Sequence, residues 1–130
     1  MSDLLIIFAK KNAYVYQGCF DALFPNTQDW KHEIRFVTRR DYLKGILAEY
    51  SHHPILLIIG SWLDDGPTDQ IIETTQGQNK ATVVTLTTSR QTDLNSLIVF
   101  ERELNPKTIF QIMMHKDIGK FVQEKNIRGV

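Results

Sequence analysis

Two continuous apolar runs constrain the fold of this chain more than any other feature. Residues 4–9 read LLIIFA and residues 55–59 read ILLII, each of strand length and without a polar position. A strand with one wet face alternates polar and apolar residues, whereas a strand of a parallel sheet is covered on both faces and needs no polar side. The two runs therefore predict buried parallel strands with helices on both faces of the sheet.

Extended and helical segments alternate along the rest of the chain. Further strands are predicted over 33–37, 81–86 and 97–100, and helices with apolar residues three or four apart over 13–24, 40–50, 68–76 and 106–125. Strand, helix and strand in succession form the repeating unit of a parallel sheet. Right-handed connections and one chain reversal give the strand order 2-1-3-4-5, so we expect a flavodoxin-like, doubly wound α/β sheet of five strands.

Three local details of this prediction concern helix ends and connections. Asn12 is the expected N-cap of the first helix, whose buried face should carry Val15 and Cys19. Thr38 is the expected N-cap of the helix over 40–50. Only residues 88–96 separate the fourth and fifth strands, which is too short for a full helix with its two loops. We therefore expect that helix to be lost or reduced to one turn.

Composition excludes several classes of protein. The 130 residues match one domain, here 1–130, and 15 Lys and Arg balance 15 Asp and Glu, so nothing favours direct binding to nucleic acid. No apolar run approaches the roughly 20 residues that a membrane helix needs, and one Cys cannot form an internal disulfide. The histidines lack the spacing of metal ligands. We expect a cytoplasmic domain without metal, other cofactor or membrane contact.

Residues 54–66 read PILLIIGSWLDDG, and this segment resembles the third strand and following loop of two-component receiver domains. In that family a Pro, an apolar run, the phosphate-accepting Asp and a Pro- or Gly-containing loop follow in this order. The segment lengths are similar to a receiver along nearly the whole chain. The resemblance implies a role in bacterial signalling or transcription regulation, with a protein partner or output domain, and the N-terminal position in a longer regulator.

The same resemblance implies that the receiver chemistry is gone. The acceptor position falls on Gly60, which has no side chain to phosphorylate. The acids that hold Mg²⁺ are replaced by lysines, and no lysine ends the fifth strand. The degenerate pocket would consist of Lys10, Lys11, Asn12, Ser61, Trp62, Thr87, Thr88 and Arg102. The chain is therefore expected to be neither a phosphorylatable receiver nor an enzyme.

Two functions remain open at this point. The first is a protein–protein interaction or dimerisation module, and the second is a small-ligand or nucleotide sensor that uses the cleft at the carboxyl ends of the strands. Trp62 either fills the vacated phosphate pocket or serves as an exposed recognition anchor.

In the last helix, apolar residues cover a wider part of the helix surface than the single stripe that faces a core. This width indicates either a homodimer interface or a deeper position in the core. The interface candidates are Phe110, Met113, Met114, Ile118 and Phe121.

Overall fold

A computed structural model describes residues 4–23, 33–78 and 80–115 of the chain. Its centre is a pair of fully buried strands, β1 (Leu5–Ala9) and β3 (Ile55–Ile59), which run parallel in register. The prediction that both apolar runs form strands covered on both faces is confirmed.

Five parallel strands make up the main sheet. They are β1 and β3 together with β2 (Glu33–Val37), β6 (Ala81–Thr87) and β7 (Ile98–Phe100), in the order β2-β1-β3-β6-β7. Two further strands of two residues each, β4 (Trp62–Leu63) and β5 (Gly66–Pro67), pair as a separate antiparallel hairpin. The predicted α/β architecture with a five-stranded parallel sheet is confirmed, and the hairpin is an addition within the segment predicted as a loop.

Helices cover both faces of the sheet. They are α1 (Gln17–Leu23), α2 (Arg40–Glu49), α3 (Asp69–Gln76) and α4 (Pro106–Met113). Because strand side chains alternate between faces, Ile6 and Phe8 join a core with α1 and α4, whereas Leu5 and Ile7 join a second core with α2 and α3. Within the described ranges, no helix is long and apolar enough to cross a membrane.

The connection between β6 and β7 contains a single 3₁₀ turn, Leu94–Ser96, in agreement with the prediction from its length. The Asp93 carboxylate caps this turn, because Oδ1 accepts from the backbone N–H of Asn95 at 3.2 Å. A second 3₁₀ turn, Glu101–Glu103, links β7 to α4.

The first helix differs from its prediction at its start. Residues Ala13–Tyr16 form a 3₁₀ turn, and the α-helix begins only at Gln17. Because a 3₁₀ turn has three residues per turn, the α-helical spacing does not apply there, and Val15 is 75% exposed rather than buried. Cys19 does pack against the core. Asn12 precedes the turn with a left-handed φ of 58° and makes no side-chain capping bond, so its predicted N-cap role is wrong.

The last helix also differs, since the predicted continuous helix over 106–125 ends at Met113. Met113 is fully buried, so its prediction as an interface residue is wrong, and Phe110 and Met114 pack partly buried against the same core. The physical reason is that α4 packs against α1 as well as the sheet, which buries more than one stripe. Two further interface candidates, Ile118 and Phe121, lie outside the described residues.

We expect Met113→Ala to lower the free energy of unfolding by about 2–5 kcal/mol, because it removes a fully buried side chain and leaves a cavity. Gln111→Ala, at an exposed position of the same helix, is the matched control and should change stability little. Urea denaturation followed by circular dichroism measures both. Equal midpoints for Met113→Ala and the wild type would contradict the core position.

Candidate functional site at the carboxyl edge of the sheet

The carboxyl ends of β1 and β3 meet at one edge of the sheet, where ligands of open α/β sheets usually bind. Lys10 follows β1 and Gly60 follows β3 directly. The backbone N–H of Gly60 donates to the Ala9 carbonyl at 2.8 Å, which continues the strand pairing to the edge. The structure thus brings together two of the positions singled out from the sequence.

The Lys10 side chain crosses this edge and pairs with Glu101, which follows β7. The distance from Lys10 Nζ to Glu101 Oε1 is 2.5 Å, and the two side chains are only 12% and 28% exposed. A Cβ atom at Gly60 would lie 3.7 Å from Lys10 Cγ, so the lysine passes directly beside the glycine. Its ammonium group also lies 5.5 Å from the centre of the Tyr16 ring. The Lys10 ammonium group is therefore already paired with the Glu101 carboxylate.

This ion pair reverses the polarity that the receiver resemblance implies. The resemblance places acids after the first strand and a lysine after the last strand of the sheet, whereas here Lys10 follows β1 and Glu101 follows β7. Both departures are visible in the sequence, but their contact is not, because nothing in the sequence indicates that the two side chains reach each other across two intervening strands.

The other predicted pocket residues are mostly at the surface. Thr87 hydrogen-bonds within its own loop, where its hydroxyl oxygen accepts from the backbone N–H of Arg90 at 3.2 Å. The exposed members of the predicted pocket are Lys11, Asn12, Ser61, Trp62, Thr88 and Arg102. The predicted pocket is thus an exposed edge around one shielded ion pair.

Trp62 lies in the β4–β5 hairpin, opposite Pro67, and is 54% exposed. The interpretation in which its ring fills a vacated pocket is therefore wrong. The physical reason is the alternation of side chains along the short strand, which buries Leu63 and leaves Trp62 on the exposed side.

The exposed large hydrophobic residues of the described chain gather at this same edge. They are Tyr14 (62% exposed), Val15 (75%), Tyr42 (56%) and Trp62 (54%). Tyr14 and Val15 lie in the 3₁₀ turn that follows β1. Tyr42 lies at the start of α2, after β2, and Trp62 lies in the hairpin after β3. We call the three aromatic residues among them, Tyr14, Tyr42 and Trp62, the carboxyl-edge aromatic surface.

The hairpin that carries Trp62 is fixed to the start of α2 by Asp65. One carboxylate oxygen, Oδ1, accepts from the backbone N–H of Arg40 at 2.6 Å, and Oδ2 accepts from that of Asp41 at 3.2 Å. These bonds satisfy N–H groups that a helix leaves free at its start. Thr38 was predicted as this cap, and the prediction is wrong, because the cap comes from the later loop.

The capping bonds set the ionisation of Asp65. The backbone N–H of Arg40 donates to its carboxylate and holds the pKa of Asp65 below the ordinary value, with further help from Asp41 N–H and the Arg39 guanidinium. Hydrogen bonding from Arg39 likewise lowers the pKa of Asp41. The folded hairpin and helix therefore stabilise the carboxylate form of Asp65.

Further contacts leave the hairpin little freedom. Arg40 Nη1 donates to the Pro67 carbonyl at 3.2 Å, and Gly66 has a φ of 134°. Residues with a Cβ rarely adopt such a positive φ, so this turn favours glycine at position 66. The buried Thr68 hydroxyl donates to the Gly60 carbonyl at 2.6 Å. Trp62 is therefore presented on a rigid support.

Over the described ranges, no group of three or more His, Cys, Asp or Glu side chains is placed to hold a metal ion. Comparison of the chain with protein-family models, with curated proteins and with solved structures finds no match. The function must therefore be argued from the geometry of the edge.

We expect Asp65→Ala to lower the melting temperature by several degrees at pH 7, since the first turn of α2 loses its cap. Asp64→Ala is the matched control, because its exposed carboxylate does not cap the helix. A carboxylate with a lowered folded pKa stabilises above its ordinary pKa of about 4 and loses that effect as the pH falls through the folded value. The difference between Asp65→Ala and wild type should therefore shrink below about pH 4 in thermal scans. A difference that is constant with pH would contradict the capping role.

Proposed function

We propose that this chain is a receiver-like domain that has lost phosphoryl chemistry and serves as a protein–protein interaction module in bacterial signalling or transcription regulation. The observation that carries the proposal is the carboxyl-edge aromatic surface, because the exposed large hydrophobic residues of the described chain all lie at the edge used for ligands in such folds. Trp and Tyr are enriched among the residues that dominate protein interfaces.

The fold supports the receiver-like part of the proposal. A parallel sheet of order β2-β1-β3-β6-β7 with helices on both faces is compatible with a flavodoxin-like, doubly wound arrangement. In such an arrangement the end of β3 lies at the centre of the carboxyl edge, and Gly60 stands there.

The ion pair supports the loss of chemistry. Phosphoryl transfer to a receiver needs an acceptor carboxylate and acids that hold a divalent cation. Position 60 offers no carboxylate, and Lys10 lies where a cation would need negative oxygen atoms. We infer that the edge stays in one arrangement and presents its surface without a phosphorylation signal.

The surface also favours an interaction module over the small-ligand sensor. An anionic ligand in the cleft would need Lys10 free, and Lys10 is paired with Glu101. For self-association, the exposed Trp62 and Tyr42 are better candidates than α4, whose Met113 is buried. We therefore propose that a homodimer or a partner protein covers the carboxyl-edge aromatic surface.

We expect that Mg²⁺ with beryllofluoride, a phosphoryl mimic, leaves the amide spectrum of the chain unchanged, because no carboxylate at position 60 can bind it. Titration followed by NMR of ¹⁵N-labelled protein measures this. Shifts at Gly60 and its neighbours that require both Mg²⁺ and beryllofluoride would contradict the proposed loss of chemistry.

We expect Trp62→Ala to weaken self-association while the melting temperature stays within about one or two degrees of wild type, since an exposed ring contributes little to the core. Sedimentation velocity at high micromolar concentration gives the oligomeric state, and thermal denaturation gives the stability. Lys107→Ala, at an exposed position of α4, is the control and should associate like wild type. A wild-type chain that stays strictly monomeric would contradict the homodimer, and a large loss of stability in Trp62→Ala would contradict the surface role.

A further inference from the structure

A second concave surface lies away from the carboxyl edge, between α2 and α3. It is a groove of about 350 Å³, within the usual size range of small-molecule sites. Its lining residues come from the two helices and the turns that follow them: Lys44, Leu47, Ala48, Ser51, Gln70, Ile71, Thr74, Thr75 and Gln78.

The groove combines apolar and polar side chains. Leu47, Ile71 and Thr75 are buried, whereas Ala48 and Thr74 are exposed. A small-molecule site typically combines apolar surface, which supplies most of the affinity, with a few polar groups that fix orientation. This groove has both components along its length.

The groove carries one positive charge. Among the described residues that line it, Lys44 is the only ionisable one and none is acidic. The ion pairs found within the described residues involve Lys10, Arg35, Arg39 and Arg40, and none of them uses Lys44. Lys44 is exposed, so its ammonium group is available to an anion that enters the groove.

We propose that this groove binds a small amphiphilic organic anion, an alkyl carboxylate in the simplest case. The alkyl chain lies along Leu47, Ala48 and Ile71, and the carboxylate pairs with Lys44. Hydroxyl and amide groups on the α3 wall are hydrogen-bond partners for polar substituents of such a ligand. The proposal concerns a different surface from the carboxyl-edge aromatic surface, so either can fail without the other.

Sodium octanoate is the probe, titrated into the ¹⁵N-labelled full chain, with 1-octanol as the uncharged analogue. We expect saturable amide shifts confined to α2 and α3 with octanoate, and weaker binding of 1-octanol. Lys44→Gln should weaken octanoate binding about five-fold, the loss expected for an exposed ion pair. Lys107→Gln, on the opposite face of the sheet, is the matched control and should bind octanoate like wild type.

Ala48→Phe should abolish the binding, because the larger side chain at this exposed position fills the groove. If that variant does not fold, Lys44→Gln and 1-octanol still decide the question. Three results would overturn the proposal: equal affinity for octanoate and 1-octanol, unchanged affinity in Lys44→Gln, or shifts that fall outside the groove or do not occur.

Discussion

The pairing of β1 with β3 determines where the carboxyl edge of the sheet and its ion pair lie. Leu5 stands opposite Ile55 and Ala9 opposite Ile59, so the two strands end at the same level. Because both are buried on both faces, their register cannot slip without exposing apolar side chains or leaving gaps in two cores. The shared end point sets Lys10 beside Gly60, and from there the Lys10 side chain reaches Glu101.

The edge built in this way pairs its central charges internally, Lys10 with Glu101 and Asp65 with the start of α2. Its apolar side chains face outward on short, well-tied segments. A rigid aromatic group loses little conformational entropy on contact, which is an advantage for binding another protein. The same arrangement thus pairs the central charges of the edge and leaves aromatic side chains exposed beside them.

Sequence patterns predicted the framework of the fold well, because the continuous apolar runs of β1 and β3 must be removed from water on both faces. They failed where a contact joins distant segments or where helix type changes. Asp65 caps a helix that begins 25 residues earlier, and no pattern at Thr38 reveals it. Val15 was misplaced because the chain forms a 3₁₀ turn there. Trp62 and Met113 show a further limit, since an apolar side chain in the sequence does not tell whether a neighbour covers it.

The position of the Lys10 ammonium group disfavours a divalent cation at this edge. Its side chain passes beside Gly60 and ends on the Glu101 carboxylate, so a positive charge occupies the centre of the edge. An aspartate introduced at position 60 alone would stand beside a lysine already paired with Glu101, with lysines, not acids, at positions 10 and 11. Several simultaneous changes would be needed before a cation could bind there. A single substitution at this edge therefore alters the surface that it presents to solvent more readily than it creates a metal site.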